Sequence, residues 1–528
     1  MELAMKASIA TAILVSVLAS SGLIAPAMAQ PVPFQIVGHI QRFTLDTPAA
    51  LFSGAKMTVN GIDVVIPTNT VVVMPAAYLT PQQIFTVGSG MAPPGTPAGK
   101  SGLALDDRIA LTDRPLAAFE TTLTGNIVGG VYIAGLVHIS QQSLNNGAGF
   151  IRNIDYGTGE LCVGANPAAA ATCAAPDTRV RINDSGKVYG ANNSSPDDRF
   201  SVDPENPTIH AQTGYPMCLP GVAPPAVDPN CPIGNRPLAG GKPLTTFVMS
   251  GPDIPTSVLP PGQASIVSCK DPLPACDPDQ QAPFMPGDYI NFQGTLAKDA
   301  DPGHPYFISA HTIEANVGIY TRSGTGNTAY VLQEKTLLGT QGPLVAGRCA
   351  AALECTARLR IVGFITDPTR ARQIGVYAVD VDAAGKRRAR RLVTAQKAQA
   401  PFGRFRFEIA KAPALLPNGL GATREIMVRL DDPASLQDGT EIPDKTNSPA
   451  KIRAHGLIAG QYVAPVQEYL FPEGLVMGAL PPQANFQCLA FLTAGWATSG
   501  IAGMIGQLAP WPGSPTPPAT PASIRCDN

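Results

Sequence analysis

The densest run of residues able to do chemistry in this chain is cationic. Lys386, Arg387, Arg388, Arg390 and Arg391 lie within one short stretch. Residues 355–430 around them hold 15 Lys and Arg against five acids, Asp367, Asp380, Asp382, Glu408 and Glu425, in a chain whose net charge is −2. Ile374–Asp382 and Lys386–Thr394 read as a hairpin closed by Ala383-Ala384-Gly385, with Gly385 in the left-handed position such a turn requires. In that register Asp382 faces Lys386 and Asp380 faces Arg388, which leaves Arg387, Arg390 and Arg391 without counter-charges. Such a ridge either keeps an edge strand from pairing with another chain or docks on an anionic polymer. The five cations are therefore the candidate binding residues, with an anionic polysaccharide or cell-surface polymer as partner.

Other chemistries leave weaker traces. No G-x-S-x-G occurs, and Ser448–Lys451 matches S-x-x-K without the companion motifs of that class. Gly95–Ser101 (GTPAGKS) is one residue short of a phosphate-binding loop. The six histidines never fall at zinc-type spacing, and His304 and His311 only flank a strand. Asp197, Asp198, Asp203 and Glu205 form an oxygen-rich loop that calcium could use, but without an EF-hand pattern. Carboxylate pairs for glycoside hydrolysis have no sequence spacing of their own. The only tryptophans, Trp496 and Trp511, are both near the C-terminus. No catalytic residue, cofactor or metal site is expected.

The ten cysteines fall into neighbouring couples: Cys162/Cys173, Cys218/Cys231, Cys269/Cys276, Cys349/Cys355 and Cys488/Cys526. Most bracket Pro-, Gly- or Ala-rich loops too poor in apolar residues to order themselves by burial. Without C-x-x-C or Cys/His spacing, disulfides are expected rather than metal ligation. The first 29 residues point the same way. Lys6 precedes the apolar run Ile9–Ala19, and Ala27-Met28-Ala29 precedes Gln30 as a signal peptidase site would. The run is too short for a membrane span, so a secreted or periplasmic protein with no transmembrane segment after cleavage is expected. The charge balance gives no global pull toward nucleic acid.

The elements that must position these residues read as strands. Pro and Gly number 53 and 52, charged residues make up only 14% of the chain, and alternation outweighs helical periodicity. Lys56–Ile66 reads as a hairpin around Asn60-Gly61. Further strands read at Phe119–Ile127, Gly130–Ile139, Tyr289–Leu296, Tyr306–Ile313, Leu359–Ile365, Ile374–Asp382, Phe402–Ile409 and Arg424–Leu430. In four strands a Gly sits between two apolar residues of one face: Gly38, Gly125, Gly294 and Gly363. That placement lets a strand coil sharply, as small closed barrels require. Phe119–Ile139 and Asp288–Ile313 share this device and a following Tyr-bearing strand, which predicts related barrel halves.

Phe34–Leu79, with VGHIQRFTLD and then KMTVNGIDVVIP, resembles the small OB-like barrels of exported bacterial proteins. Arg358–Leu430, with RLRIVGFITDPTRA, IGVYAVDVD and FGRFRFEI, resembles bacterial Ig-like β-sandwich modules. The whole chain is similar to large uncharacterised secreted multidomain proteins of bacteria and fungi, a likeness that implies no particular activity. The expected fold is all-β: OB-like small barrels plus an Ig-like β-sandwich, loop-rich and disulfide-stapled. The plan is a signal peptide at 1–29, an OB-like domain at 30–115, and a barrel half at 116–184. A Pro/Asp/Cys-rich insertion follows at 185–284, then the related half at 285–345 and the basic sandwich at 346–432. An uncharged, Pro-rich segment at 433–528 ends the chain, packed rather than membrane-spanning. The expected function is an exported binding or scaffold protein, with an extracellular hydrolase of glycan or ester bonds as the alternative.

Overall fold

The computed structural model describes residues 30–528 except 86–95, 108–118, 141–143, 259–261, 263, 270–275, 302, 325, 341–343, 346–347, 350–358, 394–401, 410–422, 432–433, 448–451, 473–476, 494–497, 499–500, 502–504 and 514–528. The leader, Cys355, Cys526, Trp496, Ser448, Lys451 and the Pro-rich tail lie outside the described residues. The chain is all-β, and among the described residues no helix is long and apolar enough to cross a membrane.

Five strands close the first barrel: β1 (Val32–Leu45), β2 (Ala55–Val59), β3 (Ile62–Ile66), β4 (Glu120–Val128) and β5 (Val131–Ser140). They run in the order β3-β2-β1-β4-β5, antiparallel throughout, and a parallel β3–β5 pairing completes the circle. Ile40, Met57, Val64, Leu123 and Val137 fill it. Asn60 and Gly61 both take positive φ, 53° and 77°, as the expected hairpin turn demands.

The second barrel repeats this plan. Its strands are β6 (Asn146–Asp155), β7 (Glu160–Gly164), β8 (Thr178–Ile182), β9 (Tyr289–Lys298) and β10 (Tyr306–Ala315). The order is β8-β7-β6-β9-β10, closed by a parallel β8–β10 pairing. Both barrels thus have the strand order of an OB-like fold. They divide the chain differently from the expected boundaries. Residues 120–140 complete the first barrel, and the second is assembled from 146–182 and 289–315 around a long connection. The likeness of Phe119–Ile139 to Asp288–Ile313 marks the same two strands of two barrels, rather than two halves of one. Gly125 and Gly294 occupy equivalent register shifts, where a side chain would run into the carbonyl of Ile133 or Ser309 on the neighbouring strand.

Eight further strands make two packed sheets: β11 (Val331–Gly339), β12 (Leu359–Ile365), β13 (Ile374–Val381), β14 (Arg387–Val393), β15 (Arg404–Ile409), β16 (Glu425–Leu430), β17 (Gln461–Pro465) and β18 (Glu468–Leu470). One sheet runs β15-β12-β11-β18 and the other β14-β13-β16-β17. Ile361, Phe405 and Phe407 of the first share a core with Val376, Ile426 and Val428 of the second. The uncharged C-terminal segment completes that core. Phe486, Leu489, Leu492 and Trp511 are buried in it beside Leu136 of the first barrel.

The long connection of the second barrel locks the parts together. Arg199 is 1% exposed, pairs with Asp197 at 2.7 Å, and donates to the carbonyls of Ile84 and Ser101 near the first barrel. Asn206 exchanges two hydrogen bonds with the Val463 backbone of the sandwich. Arg236 and Asp288 form a fully buried pair at 2.6 Å that ties the connection to the start of β9. Disulfides join Cys162–Cys173, Cys218–Cys231 and Cys269–Cys276 as expected. Cys488 is also disulfide-bonded, while Cys526, its expected partner, and Cys355, the expected partner of Cys349, lie outside the described residues.

Candidate functional site

The five expected binding cations do share one hairpin, in the predicted register. Asp380 lies opposite Arg388, and the Asp382 amide donates to the Lys386 carbonyl at 3.0 Å, with Gly385 at φ 79° in the turn. Their charge is not in excess, however. Lys386 reaches Glu441 at 3.2 Å, Arg387 reaches Glu205 at 2.8 Å, and Arg388 reaches Asp382 at 3.1 Å. Arg390 reaches Asp380 at 2.8 Å, and Arg391 reaches Asp431 at 3.5 Å. Three of these acids come from outside the 355–430 window: Glu205 from the long connection, Asp431 and Glu441 from the segment just past β16. Five neighbouring carboxylates answer five cations.

The oxygen-rich loop is likewise absorbed. Asp197 holds Arg199, Glu205 holds Arg387, and Asp203 accepts from the Glu205 and Asn206 amides at 2.8 and 2.9 Å. Among the described residues no three His, Cys, Asp or Glu side chains converge on a metal-sized space. His304 is exposed beside Asp301, while His311 is buried, and burial pulls its pKa down to about 4. Ser101, from the phosphate-loop-like stretch, is buried, with its hydroxyl on the Asp107 carboxylate.

A different surface carries a groove. An open groove of about 610 Å³ lies against the outside of the second barrel. Its floor is made by outward residues of β7 and β8, Glu160, Cys162 and Arg179. Side chains alternate along a strand, so these face outward while Leu161, Val163 and Val180 fill the barrel. One lip is the β6–β7 turn with Asp155, Tyr156 and Gly157. A second is the β9–β10 loop with Asp301 and His304, and a third is the disulfide-closed loop with Thr172 and Cys173. This is the face and the pair of loops with which OB-type barrels hold oligonucleotides and oligosaccharides.

The groove is braced from behind. Arg179 and Arg181 each contact both Glu160 and Asp299, at 2.8, 2.6, 2.9 and 2.6 Å. Arg179 also donates to the His304 carbonyl at 2.5 Å, which ties the β9–β10 loop to the floor. Arg181 lies 4.4 Å over the Phe307 ring. Arg152 on β6 holds the disulfide loop through Asp177 at 2.5 Å and the Ala168 carbonyl at 2.9 Å.

Three carboxyls in and beside the groove, Asp155, Asp299 and Asp301, are held ionised. For Asp155, slight burial would raise the pKa, but hydrogen bonds from the Thr158 hydroxyl and from the Gly157 and Thr158 amides outweigh it and lower it. For Asp299 the burial effect is outweighed by Arg179 and Arg181. Asp301 is lowered by the Gly303 amide and then by His304. Tyr156 is half-buried, and burial raises its phenol. The sequence held one overlooked signal for this site. The two related strand pairs are joined by Gly129-Gly130 in one barrel and by a loop of Asp, Pro, Gly and His in the other. No protein-family model, curated protein or solved structure matches this chain.

Proposed function

We propose that this chain is an exported, non-catalytic binding protein whose ligand face is the groove on its second barrel. The braced loops around that groove carry the reading, because a surface kept rigid before binding loses little entropy when a ligand settles. Export rests on the leader and on disulfides of the kind an oxidising compartment permits. We read the eight-stranded sandwich as an Ig-like module that serves as scaffold, since its strand order places β11, β12 and β15 against β14, β13, β16 and β17.

The ionised carboxyls favour binding over hydrolysis. Glycoside cleavage needs one carboxylic acid kept protonated to reach the leaving oxygen. Asp155, Asp299 and Asp301 are all shifted the other way. The carboxyls that burial raises, Asp203, Glu314 and Glu334, do not line the groove.

Retention of the purified exported protein on insoluble cell-envelope polymer tests this reading. Tyr156→Ala is expected to weaken retention, and Lys386→Ser with Arg388→Ser to leave it unchanged, with no reducing ends or acids released. Time-dependent release of product would replace the binding reading with the hydrolase. Retention lost with the hairpin variant would move the ligand face to the basic ridge.

A further inference from the structure

The groove's own chemistry narrows what it can hold. Resting on the proposed function, we infer that its ligand is a linear glycan carrying no acidic groups. The guanidiniums near it are committed: Arg179 and Arg181 to Glu160 and Asp299, and Arg152 to Asp177. The Asp155 carboxylate accepts from its own turn, and Asp301 accepts from the Gly303 amide and stands beside His304. Among the described residues that line the groove, Arg179 is the only Lys or Arg, and it is already paired with Glu160 and Asp299, whereas ionised carboxylates stand on both the β6–β7 and the β9–β10 lips. Nucleic acids and acidic polysaccharides would meet repulsion there and lose their own hydration without recompense.

Sugar hydroxyls fit what remains. An ionised carboxylate is acceptor-only, and a hydroxyl donating to it makes a charge-assisted bond, about twice as strong as a neutral one. Asn153 adds donors and an acceptor, and the Thr172 hydroxyl can do either. Tyr156, half-buried with its side chain packed against the barrel core, lines the groove with an apolar body and a polar tip. The groove is open rather than enclosed, which suits a segment of a chain that continues beyond both ends. Disulfide Cys162–Cys173 fixes one lip, and Arg179 fixes another through the His304 carbonyl.

Calorimetric titration of the full exported protein would use three sets of oligosaccharides of equal length: neutral glucose-type, N-deacetylated glucosamine-type and uronate-type. Binding is expected for the first two and not for the third, with little dependence on salt for the neutral set. Tyr156→Ala should weaken the neutral set roughly tenfold, as loss of a central aromatic contact does. Asp301→Asn keeps the shape and removes a charge. It should leave the neutral set within about threefold and weaken the glucosamine set by a further factor of up to about five, because an exposed ammonium–carboxylate pair is lost. Uronates binding as well as neutral sugars, in a manner that Tyr156→Ala abolishes, would overturn the ligand class and leave the groove standing. Binding that no groove variant alters, or no binding to any set, would overturn the groove itself along with the class.

Discussion

The two barrels share one strand order and differ in what joins the strands. In the first, β2 and β3 meet through Asn60-Gly61, and β4 and β5 through Gly129-Gly130. Both turns are too short to rise above the sheet. In the second, the corresponding joints are a disulfide-closed loop between Gly164 and Thr178 and a loop between Lys298 and Tyr306. Those two loops and the β6–β7 turn wall the groove. The barrel therefore supplies a platform, and loop length decides whether that platform is a site.

Removing what holds the second barrel's long connection should have the largest effect. Asp288→Ala leaves Arg236 buried and unpaired, since Arg236 is 2% exposed and Asp288 3%. Breaking one partner of such a pair costs about 3–5 kcal/mol. Chemical denaturation should show that loss. The double replacement Arg236→Met with Asp288→Leu should recover part of it, because no lone charge remains buried. A single-variant loss below about 1 kcal/mol would mean that the connection is held elsewhere.

Acid should separate the barrels next. Burial pulls His210 and His311, both packed in the second barrel, down to about pKa 4, and does the same to the partly exposed His138 of the first. Unfolded histidine titrates near 6.5, so the unfolded chain takes up protons that the fold refuses. Stability should be full above about pH 6.5, fall as pH drops, and stop falling from this cause below about pH 4. Each neutral buried histidine contributes roughly 1.4 kcal/mol per pH unit inside that window. Hydrogen exchange at pH 5 and pH 7 should show the greater loss of protection in β9 and β10. Equal loss in both barrels would break the contrast.

How much of this was legible depends on the range of the interaction. Asn60-Gly61, the register of Asp380 against Arg388, and three disulfides are local, and the sequence shows them. Gly125 and Gly294 showed that two strand pairs are alike, but not whether they belong to one barrel or two. A strand's partner is set by pairing across a hundred residues, and no local pattern records it. The counter-charges of Arg387, Arg390 and Arg391 are hidden from the sequence for the same reason. Asp431 lies one residue past the end of β16 at Leu430, and Glu205 lies far upstream and reaches Arg387 only in the fold. The groove depends on three loops that meet only once the second barrel closes.

Opening the groove's disulfide lip should have a smaller effect than acid. Cys162→Ser with Cys173→Ser frees a loop whose closure is worth about 2–3 kcal/mol in the chain-entropy model. The first barrel has no such bond among its described residues. The loss should appear in global stability and in weaker glycan binding together. Full binding retained after the bond is lost would show that Arg152, through Asp177 and Ala168, holds the lip alone.

The smallest effect is expected at the basic hairpin, and it decides between ridge and groove. Arg387 and Arg390 are mostly covered, at 14% and 16% side-chain exposure, and are bound to Glu205 and Asp380. Replacing them would disturb the packing as well as the charge. Lys386 and Arg388 are the better probes, at 52% and 34%. Each is an exposed ion pair worth about 0–1 kcal/mol, so Lys386→Ser with Arg388→Ser should leave the melting temperature nearly unchanged. Elution from heparin-type resin along a salt gradient should also hardly move, because Glu441 and Asp382 already screen these charges locally and salt shortens their reach from about 8 Å toward 3 Å. A large shift to lower salt would show that the hairpin presents usable positive charge despite its five carboxylate partners. The anionic-polymer reading would then replace the groove as the molecule's binding face.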